Sequence, residues 1–99
     1  MTDEPMGVDD VFSDDEMEAL LRTPPEIVIA NHLFHLLELA AVHLFAVTPN
    51  LPQAQLVIDA VAGVVAALGE RLGEPGPVIA EGLAQMQMAY VRLSGASST

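Results

Sequence analysis

A chain of 99 residues, 52% hydrophobic and with a mean hydropathy of +0.43, has room for one small domain that buries only about 60 to 65% of its unfolded surface. That is more apolar material than a small monomer hides, so association with a second copy or another protein is expected. Three arginines and no lysine against fourteen acids, a net charge of −11, exclude a phosphate-backbone binder and disfavour docking on an anionic membrane; the absence of cysteine excludes a disulfide frame and a thiolate metal site.

The charge belongs to the N-terminal stretch. Residues 1–26 carry nine acids against Arg22, whereas residues 27–99 carry five acids against Arg71 and Arg92. The opening MTDEPMGVDD has no basic region followed by an apolar one, so no export is expected and the cytoplasm is the expected compartment. Residues 1–24 are read as an acidic, largely disordered arm. Within it Ser13 is followed three residues later by Glu16, a capping-box spacing. Asp14 and Asp15 suit a helix N-terminus and Arg22 its C-terminus, which predicts a short helix over 14–22 with Met17, Leu20 and Leu21 on its apolar side. A helix this short does not hold in water without docking on something.

Beyond Thr23-Pro24-Pro25 the pattern predicts an all-α domain over 25–93: a small three-helix bundle, or a helical hairpin plus a third helix, paired with a second copy. The first helix is expected over 25–47, stopped by "TPNLP". The second is expected over 52–72, opened by Pro52 and closed by Gly69 or Gly73, with Ala60, Gly63 and Ala67 small enough to admit a neighbouring helix. After "GEPGP" the third is expected over 77–93, with Ile79, Leu83, Met86, Tyr90 and Leu93 on its apolar face, and residues 94–99 form a flexible end.

All three histidines lie in "HLFHLLELAAVH" of the first helix. Asn31, His32, His35, Glu38 and His43 fall within an arc of about 140° on the helical wheel, and the remainder is apolar. His32, His35 and Glu38, at i, i+3 spacing, are candidate metal ligands, and His35 with Glu38 is a candidate pH-sensitive contact. A di-metal bundle needs further carboxylates from other helices, and only Asp59 and Glu81 offer themselves. The ligand set is short, so the primary reading assigns these residues to polar positions bordering a helix interface and implies no cofactor. The stretch 27–47 has the length of a membrane span, but an ionised Glu38 near its centre costs about 2.5 to 3.5 kcal/mol on insertion scales, and no basic cluster flanks it. A soluble helix is expected, with no membrane and no direct nucleic-acid contact.

Met86, Met88 and Tyr90 suit packing or an interface better than a ligand pocket. No phosphate loop, nucleophile elbow or Ser/His/Asp set can be assembled, so the chain is not expected to be an enzyme. The expected intersubunit residues are Leu33, Leu37, Val61, Val65, Met86 and Tyr90.

The segments "AAVHLF" (40–45), "LVIDAVAGVVAAL" (56–68) and "GLAQMQMAYVRL" (82–93) resemble the bacterial family known as domain of unknown function 1844. The resemblance spans residues 25–93 and implies a small, helical, cytoplasmic protein without assigned activity. In high-GC Gram-positive bacteria members of that family are often encoded near the gene for translation initiation factor 3. The function expected is thus a non-enzymatic, homodimeric protein-interaction module, with a link to translation through a basic protein partner met by the acidic arm. The alternative is a metal- or small-ligand-binding bundle using His32, His35 and Glu38.

Overall fold

The computed structural model describes residues 13–97; residues 1–12 of the arm and residues 98 and 99 lie outside them. Four helices follow one another, with no strand among the described residues: α1 (Asp14–Arg22), α2 (Pro25–Leu44), α3 (Leu51–Leu68) and α4 (Gly76–Ser97), with a single 3₁₀ turn over Gly69–Leu72. The chain is all-α, as its periodicity predicts.

The short helix of the arm is built as its caps dictate. The Ser13 hydroxyl oxygen accepts the Glu16 amide at 3.1 Å, Asp14, Asp15 and Glu16 occupy the positive end of the helix dipole, and Arg22 sits at the negative end. Thr23 closes it, donating from Oγ1 to the Ala19 carbonyl at 2.8 Å. Both Thr23 and Pro24 are extended, so α2 restarts at Pro25, whose missing amide is harmless in the first turn.

α2 ends at Leu44, three residues short of the expected boundary. A helix continued through Pro49 would drive the proline ring into the Phe45 carbonyl, so the chain bends over residues 45–48 and the Asn50 amide returns to the His43 carbonyl at 2.9 Å. Asn50 then caps α3, its Oδ1 accepting the Gln53 amide at 3.3 Å, with Pro52 in the first turn. The α-helical part of the second segment also ends early, at Leu68. Gly69 adopts φ +52°, ψ −127°, outside the right-handed helical region, and the chain tightens to 3₁₀ geometry before Gly73 at φ +76° releases it.

The third helix is longer than expected at both ends. It starts at Gly76 and runs through Ser97, so Ser94 to Ser97 are helical rather than part of a flexible tail. No proline interrupts "SGAS", and one glycine weakens a helix without stopping it.

α2, α3 and α4 each pack against the other two, and the 3₁₀ turn packs against all three. α2 contributes Ala30, Leu33, Ala40 and Leu44 to the core, with Leu37 partly buried on the same stripe, at alternating three- and four-residue steps. Ala54, Val57, Ile58 and Val61 meet them from α3, Ile79, Leu83 and Ala89 from α4, and Leu72 plugs the end beneath the turn. Gly82 brings α4 close to α2: a Cβ built there would lie 3.0 Å from Leu37 Cδ1. Among the described residues no polar or charged side chain is buried.

Leu44→Ala removes a fully buried side chain at the convergence of the three helices and is expected to cost about 2 to 5 kcal/mol in chemical denaturation. Val47→Ala, in the exposed bend just beyond, is expected to stay within about 0.5 kcal/mol.

Candidate interaction surfaces

The core stripe of α2 fixes where its polar residues point. With Ala30, Leu33, Ala40 and Leu44 turned inward, Asn31, His32, His35 and Glu38 are exposed, and His43, nearer the stripe, is half-buried. His32 Nδ1 lies 2.8 Å from the Val28 carbonyl oxygen, which can only accept, so the ring donates from Nδ1 to the turn below it. The carboxylates that might complete a metal site are elsewhere: Asp59 accepts a hydrogen bond from Gln55 Nε2 at 2.7 Å on α3, and Glu81 is exposed on α4. Among the described residues no three His, Asp or Glu side chains converge closely enough to hold a metal ion. His32, His35 and Glu38 are thus three solvent-facing groups on one helix.

The six residues expected at an intersubunit face divide into two groups. Leu33 and Val61 are enclosed in the protomer's own core, where they hold its helices to one another. Leu37, Val65, Met86 and Tyr90 pack against that core and are only partly buried. The large apolar side chains left in solvent are others, including Leu39, Val42 and Phe45 around the C-terminal part of α2, Leu56 on α3, and Met88 and Val91 on α4.

On α4 these form a second stripe facing away from the core. Ala80, Ala84, Met88 and Val91 follow at steps of four, four and three, and all are exposed. Phe45 lines the same shallow depression as Met88 and Arg92. Ala84, Gln87, Met88, Val91 and Arg92 line the adjoining one. One end of the bundle thus presents an apolar patch of Phe45, Met88 and Val91, rimmed by the guanidinium of Arg92. The spacing of this outer stripe was present in the sequence, but it was overshadowed by the stronger Ile79, Leu83, Met86, Tyr90 series, of which Ile79 and Leu83 are core and Met86 and Tyr90 pack partly buried against it.

The small residues of α3 form a separate shallow groove. Ala60, Gly63 and Ala67 line it together with Ile29 of α2, and Asp59 stands at its edge. A Cβ at Gly63 would meet nothing within 4 Å.

Two segments, Pro25–Leu44 and Leu51–Leu72, are long and apolar enough to cross a membrane by length and composition, and in the bundle only 22% and 17% of their apolar windows are buried. Each carries an acid well inside it, Glu38 and Asp59, at a depth where insertion is costly. No family model, curated protein or solved structure matches the chain.

With the Gly63 face open, Gly63→Ala is expected to raise stability by about 0.5 to 1 kcal/mol through helix propensity alone. A loss of stability or of association would show that a second helix approaches there. Zinc titrated into the full chain by calorimetry is expected to give no stoichiometric binding; a one-to-one site abolished by His35→Ala would restore the metal reading.

Proposed function

We propose that the chain is a non-enzymatic, homo-oligomeric helical module whose work is to bind another protein. The observation that carries this reading is the apolar surface left outside a fully apolar core: Leu39, Val42, Phe45, Leu56, Met88 and Val91 remain in solvent on the body of the bundle. Among the described residues the polar groups are scattered, and the depressions around residues 69–80 and 84–92 are open and gather no convergent acids, bases or nucleophiles of the kind catalysis requires. Binding to proteins is the chemistry such a surface offers.

In this reading the acidic arm meets a basic partner. α1 holds Asp14, Asp15, Glu16 and Glu18 on a helix capped at both ends, with Leu20 and Leu21 exposed beside them. The carboxylates of this preformed helix suit a basic protein surface, a contact that does not need its leucines. The resemblance to the domain of unknown function 1844 family supports placing this partnership in the cytoplasm and in translation, with a basic translation factor as the candidate ligand.

The experiment is an anisotropy titration of the full chain with purified translation initiation factor 3 at two salt concentrations. Binding is expected to weaken steeply between 50 and 300 mM salt. It is also expected to fall when Asp14, Asp15, Glu16 and Glu18 are replaced together by their amides. Binding unaffected by both changes would remove the arm from the contact, and no binding at low salt would remove this partner.

A further inference from the structure

α1 and the patch at the far end of the bundle both leave apolar side chains in solvent. On α1, Leu20 and Leu21 are exposed by 46% and 86% and lie on the same side as the half-buried Met17. The patch offers Phe45, Met88 and Val91, exposed by 60%, 60% and 68%, with Arg92 at its edge. The small-residue groove carries the Asp59 carboxylate and, at its other end, Arg71, whose guanidinium donates to the Ala67 carbonyl at 3.1 Å, but it is lined by no exposed large apolar side chain. Apolar area, together with the Arg92 cation, selects the patch for α1.

Chain length selects the molecule. α1 joins α2 through Thr23 and Pro24 alone, at the end of α2 opposite Phe45. Twenty helical residues separate Pro25 from Phe45 by roughly 30 Å. Leu20 is five residues from Pro25 and reaches at most about 18 Å from it even when fully extended. No conformation of the linker brings α1 onto its own chain's patch. Two copies set antiparallel, however, bring the α1 end of each beside the Phe45 end of the other.

We infer that α1 of one copy seats its Met17, Leu20 and Leu21 edge on the Phe45, Met88 and Val91 patch of a second copy, with the acids of its first turns toward Arg92. The exchange is reciprocal, so a twofold axis closes it at two chains. It gives α1 the docking surface that a nine-residue helix needs to persist. This inference rests on the homo-oligomeric reading and adds to it the contact that makes the oligomer.

The absence of cysteine makes the test clean. Full chains carrying Leu21→Cys and Met88→Cys, distinguished by tags, are co-produced and mildly oxidised. A disulfide requires Cα atoms within about 7 Å, which the reach argument forbids within one chain. The expected product is the mixed Leu21→Cys/Met88→Cys dimer in excess over either self-linked species. Adding Arg92→Glu to the Met88→Cys chain is expected to lower its yield about two- to fivefold, the range of an exposed ion pair; an undiminished yield overturns the seating of the acids at Arg92. No mixed product from a chain that sediments as a dimer overturns the exchange and leaves the homo-oligomer standing. A chain that sediments as a monomer overturns both.

Discussion

Three helices share only one line along which all their faces meet, and the apolar arcs of α2 and α3 are wider than that line can absorb. Leu33 and Leu44 from α2, Val61 from α3 and Ile79 from α4 lie on it with no more than 2% of their surface exposed, and Leu72 is buried at one end. What remains apolar must turn outward. The thinness of the molecule, 21 Å in its shortest dimension or about two helix diameters, follows from the same geometry. A layer so thin cannot enclose a second shell of side chains, so the exposed stripe of Ala80, Ala84, Met88 and Val91 is a consequence of the architecture.

The elements were legible because their punctuation is local. The cap between Ser13 and Glu16, the Thr23-Pro24-Pro25 break, Pro52 in a first turn and the glycines at 69 and 73 act through caps and backbone constraints within one turn of themselves, and each does so in the structure; the Asn50 cap before Pro52 was not among those expected. The ends were less legible. Stopping α2 at Leu44 depends on the Asn50 amide reaching the His43 carbonyl, a contact between residues on either side of a bend. The persistence of α4 through Ser97 depends on nothing opposing it.

Which apolar face lies inside is a question of tertiary choice, and there the sequence is least informative. α4 carries two stripes, and only packing against Leu37 through Gly82 and against α3 decides that Ile79 and Leu83 are core while Met88 and Val91 are surface. Leu33 and Val61 look like interface residues on a wheel, and they are the centre of the protomer. The histidines illustrate the converse. Their spacing on one helix suggested ligation, but ligation needs a second helix to supply donors, and the fold turns that arc of α2 to solvent, away from Asp59 and Glu81.

The two longest apolar segments would satisfy a bilayer as well as a partner surface, save for Glu38 and Asp59. Those carboxylates, together with a core already complete within the protomer, favour a second protein as the cover. Sedimentation velocity of the full chain across a hundredfold concentration range, in buffer free of detergent, tests this most directly. A soluble dimer that persists at micromolar concentration is the predicted result. A monomer at every concentration, or a chain that stays in solution only with detergent, would contradict it.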